Sequence, residues 1–317
     1  MTKARTDAYV ARPGWPRDAT AEAPHRAARR PRFDWRPYLL ISPFFLVFAV
    51  FELYAIANSL YLSFTNQQGI AGGKLIGLAN YAHLLRDESY HRALVNTAKM
   101  WVLTVPILSL GSLAVAWMIQ SPLVRFKSFL RGTLFLPVIP SIVVSAITIL
   151  LLLDPNFGLP NLALQKLGFP ALNIRAQQSA AVPVLALVVI WRWFGYNVVI
   201  HASGLQSLSH SVLEAARIDG ANAWQIFWRV VVPMSRPMIV FTLISSTIGI
   251  FNLFDEPYVM FGTGGGPAEA GLLPGPLLFR TGFVSFRLGY ASAMAYALAV
   301  IIFIASLLQL RLSREHD

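Results

Sequence analysis

Glu214-Ala215-Ala216-Arg217-Ile218-Asp219-Gly220-Ala221, followed nine residues after Gly220 by Val230-Val231-Val232-Pro233, decides how the chain is read. The stretch predicts a short helix, a break and a second helix. Ser209 or Ser211 is placed to cap the first helix, because their hydroxyls can accept from the free N–H groups of a first turn. Gly220 can take the positive φ that ends a helix without a Cβ penalty. Trp224 to Val232 is an apolar-rich run suited to a membrane surface, and Pro233 and Pro237 mark entry into the next apolar segment. Ala215 and Ala216 give the first helix a low profile that fits a groove on another protein, and Glu214 and Asp219 offer carboxylates to basic groups there. Helix physics alone leaves an ordinary connector between two spans equally open.

The surroundings of this loop are apolar. Of 317 residues, 56% are hydrophobic and 13% charged, with a mean hydropathy of +0.56. Soluble domains carry roughly 25% charged residues, so a soluble enzyme, a nucleic-acid-binding domain and a disordered chain are disfavoured. The apolar residues fall in six runs, about 38–61, 93–119, 132–153, 181–203, 237–260 and 288–310. Each is near the roughly 20 residues a helix needs to cross the hydrocarbon core. Pro106, Pro137, Pro140 and Pro183 lie inside spans, where each removes a donor and permits a kink. With no cysteine in the chain, disulfides and thiolate sites are excluded.

The net charge of +11 is unevenly placed. Seventeen Lys and Arg lie in 1–37, 120–131, 204–236 and the C-terminal tail, against seven in the alternate loops. Cytoplasmic loops collect basic residues, so the sequence predicts an all-α polytopic membrane protein with six transmembrane helices and both termini cytoplasmic. This placement makes the basic character a topology signal and removes nucleic acid as a partner. Residues 1–37, rich in Arg, Pro and Ala, read as a disordered basic cytoplasmic tail. The six-span domain covers 38–310, and 311–317 form a cytoplasmic C-terminal tail. Ala55-Ile56-Ala57 resembles a signal cleavage site, but the apolar run before it is too long for a signal peptide, and the first helix is expected to remain.

The spacing of the loop resembles the EAA loop of ABC importer permeases: E-A-A, three residues, G, nine residues, then I-x-L-P, with Val230 and Val232 as conservative departures. The extended form is similar to the carbohydrate branch, the permeases of the maltose and glycerol-3-phosphate type. Gly264-Gly265-Gly266-Pro267 and Gly289-Tyr290-Ala291-Ser292-Ala293 agree with it. The resemblance implies a type I importer permease over 38–310, with 204–236 as the coupling loop. It implies that Glu214, Ala215, Ala216, Asp219 and Gly220 dock on a cytoplasmic ATPase. The implied partners are a second permease in a heterodimer, two ATP-binding cassette subunits, an extracytoplasmic solute-binding protein and the lipid bilayer. The chain carries no G-x-x-x-x-G-K-[ST] phosphate loop, so ATP and Mg are expected in the partner subunit, with no cofactor, metal or catalytic residue in this chain.

Ionisable and amide groups at membrane depth cost about 2.5–3.5 kcal/mol each near a helix centre, and they face a cavity or a partner. Glu52, Arg192, Asn197, Asn252, Asp255 and Glu256 are such groups here. Sugars bind to aromatic faces and to amides or carboxylates, a mixture found in 191–197 and 251–256. Alignment through the resemblance puts the substrate path near Trp191, Tyr196, Phe251, Asn252 and Asp255, with Asn197 beside them. Lipid-facing packing is the competing reading for the aromatics. Arg192 is expected either to pair with Glu52 or Asp255, or to be structural. Two other functions remain to be weighed. One is an ion-coupled secondary transporter or channel using Glu52, Asp255 and Glu256. The other is a membrane enzyme, for which the six scattered histidines supply no metal-ligand pattern.

Overall fold

The computed structural model describes residues 35–314, apart from 122, 172, 174, 175 and 207. The expected basic tail therefore lies outside the described residues up to 34. At the other end, helix continues through Arg314 into the expected C-terminal tail.

Among the described residues the chain is almost wholly helical, and extended pairing is confined to two isolated bridges, Thr65–Leu75 and Gln68–Ala71. Five stretches are long and apolar enough to cross a membrane: Pro37–Ser63, Glu88–Gln120, Gln178–Leu205, Arg236–Phe261 and Leu288–Ser313. A sixth is a bent pair, Lys127–Val138 with Ile142–Leu152, at 91°. The chain divides into two compact units after Leu53. The first unit holds α1 (Arg36–Phe48) and the wide turn Ala49–Leu53, and from Pro37 to Leu53 every side chain is exposed. An apolar helix with no buried face suits a lipid or protein surround.

The second unit begins with α2 (Tyr54–Ser63), which packs along α10 (Leu288–Arg314). The Tyr296 hydroxyl ties the pair by donating to the Ile56 carbonyl at 2.6 Å. α3 (Glu88–Gln120) packs on α6 (Gln178–Leu205) through Leu113, Ala116, Val198 and Ala202, all buried. Pro106 interrupts the hydrogen-bond ladder of α3, and the helix widens over Ile107–Gly111. Backbone groups freed inside a membrane must find partners within the protein. Here the Ser112 hydroxyl donates to the carbonyls of Leu108 and Ser109.

The third span is expected as one helix over 132–153, but the structure breaks it into α4 (Lys127–Val138) and α5 (Ile142–Leu152). Pro137 and Pro140 lack the N–H groups a continuous helix needs, and Ser141 caps α5 by accepting from the Val144 N–H at 3.3 Å. The break leaves carbonyls without helical donors, and α6 supplies them. Arg192, only 5% exposed, donates to the carbonyls of Pro140 (3.0 Å), Pro137 (3.3 Å) and Val138 (3.4 Å), and to the Ser145 hydroxyl (2.9 Å). Close approach of the two elements needs Gly195, where a Cβ would stand 1.7 Å from the Leu134 carbonyl oxygen. Arg192 is thus placed as the donor that closes a broken helix. No ion pair joins it to Asp255 among the described residues, and Glu52 stands exposed on the Ala49–Leu53 turn.

The amphipathic α7 (His210–Ile218) lies in the 204–236 segment. The fifth span consists of α8 (Arg236–Phe251) and α9 (Asp255–Phe261), interrupted at Asn252–Phe254.

Candidate functional site

The interruption between α8 and α9 opens one wall of a cavity of about 310 Å³. α6 supplies a second wall through Val189, Trp193, Tyr196, Asn197 and Ile200, a spacing that keeps one helix face inward. α8 adds Thr242, Ser245, Ser246 and Gly249, the unwound turn brings Asn252 and Phe254, and the start of α9 brings Asp255 and Glu256. Aromatic, amide, hydroxyl and carboxyl groups therefore face one space. Trp193 and Tyr196 meet edge to face at 5.8 Å between ring centres. The Asn197 amide donates to the Trp193 carbonyl at 3.0 Å, which leaves its oxygen free to accept. His201, fully buried, lies 3.3 Å from the Thr242 hydroxyl and fixes that residue from behind.

Of the residues expected on the substrate path, Tyr196, Asn197, Asn252 and Asp255 line this cavity, whereas Trp191 and Phe251 do not. Trp191 is two residues from Trp193, roughly 200° round the helix, and is 43% exposed. At the end of α8, Phe254 takes the lining position instead of Phe251. Trp193 and Glu256 are among the lining residues not expected on the sugar path. Trp193 had a signal, its i, i+3 spacing to Tyr196. Glu256 had another, as an ionisable group at membrane depth. It is 2% exposed, and its Oε1 has no hydrogen-bond partner.

The second feature is α7 and its surroundings. The helix closes with two crossed bonds, from the Ala221 N–H to the Ala216 carbonyl (3.0 Å) and from the Gly220 N–H to the Arg217 carbonyl (3.1 Å). This Schellman arrangement needs a left-handed residue, and Gly220 has φ +79°. Asn222 then starts the next helix in a capping box with Gln225, both bonds at 2.9 Å. Ser209 takes the cap position of α7, but its hydroxyl bonds to that of Ser211 at 2.7 Å and caps no backbone N–H. Leu213 and Ala216 pack down onto Leu205, Leu208, Ile226 and Phe227. Glu214, Ala215, Asp219 and Gly220 point outward, beside Ile218 (85% exposed) and Trp224 (70%). A helix anchored on one face presents two carboxylates and two large apolar groups on the other.

At the opposite end of α3, the Gly264–Pro267 motif forms a turn with positive φ at Gly265 and Gly266. Glu269, also at positive φ, is held by the Ser89 hydroxyl (2.9 Å) and Arg280 (3.1 Å). The Asn96 amide donates to the carbonyls of Glu269 and Leu272. Nearby, Asp87 caps α3 by accepting from the Tyr90 N–H (3.2 Å), and it accepts from the Tyr290 hydroxyl at 2.6 Å. Burial opposes ionisation of Asp87, yet the bonds from Tyr290, Tyr90 and Ser89, with His83 adding charge attraction, hold its carboxyl below the ordinary value of 3.8.

The chain matches a family described as "Binding-protein-dependent transport system inner membrane component" over residues 32–315. It is 34% identical to an arabinooligosaccharides transport system permease protein of Bacillus subtilis, over 87% of this chain and 88% of that one. To a lactose transport system permease protein of Rhizobium radiobacter it is 32% identical, over 92% and 98%. An sn-glycerol-3-phosphate transport system permease protein of Agrobacterium fabrum is 30% identical, over 87% and 93%. Its fold is also similar to a crystal structure of a bacterial ABC transporter that imports the acidic polysaccharide alginate, with a TM-score of 0.78 at 22% identity, covering 89% of this chain and 96% of that one. Six apolar spans, a capped helix–break–helix loop and a family match over almost the whole length agree, and the chain belongs to the inner-membrane permease components of binding-protein-dependent ABC transport systems.

Proposed function

We propose that this chain forms part of the translocation path for a saccharide in an ATP-driven importer, and that α7 transmits ATP-driven movement to that path. The observation that carries the reading is the cavity itself. Trp193 and Tyr196 offer faces for C–H patches, and Asn197, Asn252, Asp255 and Glu256 offer partners for hydroxyls. The names of the arabinooligosaccharide and lactose relatives support a sugar cargo. Family membership favours this reading over an ion-coupled carrier.

In this account the 204–236 segment and both termini face the cytoplasm, as the basic residues indicate. Glu214, Ala215, Ala216, Asp219 and Gly220 dock on one of two ATPase subunits, which bind the ATP and Mg. A second permease completes the path, and a solute-binding protein delivers the sugar at the other face. In this reading Asn252, Asp255 and Glu256, at the break between α8 and α9, offer polar groups on the cavity wall to a permeating solute.

Gly220→Val tests the coupling role. An added Cβ meets nothing within 4 Å, so the substitution acts through the left-handed backbone it disfavours. The assembled complex is expected to keep ATP hydrolysis and lose uptake. Full uptake at normal assembly would refute the role assigned to this loop.

A further inference from the structure

The charge of the cavity wall bears on which saccharide fits it. Glu256 is 2% exposed, lines the cavity, and has an Oε1 with no partner in the protein. Asp255 precedes it on the same wall and is half-buried. No Lys or Arg stands among the residues that line the space. Arg192 interacts with Glu256 electrostatically. Its guanidinium is directed at the Pro137, Val138 and Pro140 carbonyls and at Ser145, however, behind the lining. One positive charge held behind the wall offsets at most one of two carboxyls, so no positive charge of this chain faces a ligand.

We propose that this cavity admits neutral saccharides and turns away anionic ones, with Glu256 as the partner of a sugar hydroxyl and Asp255 as the charge that repels carboxylates and phosphates. The proposal rests on the reading of the cavity as part of a sugar path and narrows it to one class. A buried carboxyl with a free oxygen hydrogen-bonds a hydroxyl in either protonation state, by accepting or by donating. An anionic sugar brought to the same place finds no cation of this chain to pair with, and an unpaired charge removed from water is costly. The volume of about 310 Å³ sits at the lower end of the ~300–1,000 Å³ usual for small-ligand sites, which fits a short saccharide. Relatives of this chain serve both kinds of cargo by name, lactose on one side and glycerol phosphate on the other, so the family does not decide the matter.

The test is ligand-observed saturation-transfer NMR on the assembled permease–ATPase complex without its binding protein, so that only the path is read. Lactose and arabinotriose serve as neutral probes and digalacturonate as the anionic one. Both neutral sugars are expected to bind at least tenfold more tightly than digalacturonate. Asp255→Asn with Glu256→Gln is expected to narrow the gap to within threefold. Asp255→Asn alone, at a half-buried and isosteric position, narrows it in part should the double variant fail to assemble. Digalacturonate binding as well as lactose, or a gap that neither variant changes, would overturn the proposal while leaving the sugar path standing. Absence of binding by all three probes would remove the sugar path and this inference together.

Discussion

Arg192 shows how far a single residue can be read. An arginine at membrane depth announces a partner, because insertion costs about 2.5–3.5 kcal/mol; pairing with Glu52 or Asp255 is one expectation and a structural role the other. The structure gives it three carbonyls and a hydroxyl, a structural set of partners. Those carbonyls are free only because the chain breaks between Val138 and Ile142, and nothing in residues 191–197 signals that. Arg192→Met leaves several buried acceptors without donors. At about 1–3 kcal/mol for each such group, it is expected to lower the melting temperature of the detergent-solubilised complex by several degrees, with Arg192→Lys between the two. An unchanged melting temperature would show that the carbonyls find other donors. Gly195→Ala acts at the same contact, since its Cβ would meet backbone and not a movable side chain; a larger loss of assembled complex is expected than for Gly249→Ala, where the space is open. Asp87 gives a pH dependence. Its carboxyl is held below 3.8, so its contribution is complete above that value and is lost as pH falls through the lower folded value. Asp87→Ala removes the cap and the Tyr290 bond, with a cost of about 1 kcal/mol for the cap. Acid melting curves should show wild type and variant converging as the pH drops below 3.8.

At the scale of elements, the helix–break–helix order of the loop and its glycine stop were legible, because both follow from local backbone chemistry. The Asn222–Gln225 capping box at the restart was not read, and Ser209, read as a cap, bonds Ser211 instead. The six spans were legible because hydrocarbon thickness sets their length. The third span was not. Pro137 and Pro140 permit a kink, but a 91° turn depends on donors arriving from α6. The cavity was legible in part. Asn197, Asn252 and Asp255 were found from their polarity at depth and Tyr196 from its aromatic face and the family resemblance, whereas the choice of Trp193 over Trp191 depends on which way α6 is rotated in the bundle. Gly220→Ala probes the loop as an element. It forces an L residue into left-handed backbone at about 1–2 kcal/mol, and fraying at the end of α7 is the expected result. Hydrogen exchange at Gly220 and Ala221, whose N–H groups make the two closing bonds, should quicken relative to Leu213.

For the whole molecule, the proposed function joins the cavity to the outward face of α7. The cavity lies where two spans are interrupted or pressed together, and α7 follows in sequence the α6 that lines it. In the proposed coupling, a push on α7 would reach Trp193 and Asn197 along α6, Gln178–Leu205. The most direct measurement is saccharide uptake into proteoliposomes that hold the complete complex and its binding protein, with ATP available to the ATPase subunits and no ion gradient. The account predicts uptake that requires ATP hydrolysis and is indifferent to sodium or proton gradients. Uptake that follows an ion gradient and proceeds without ATP would contradict it.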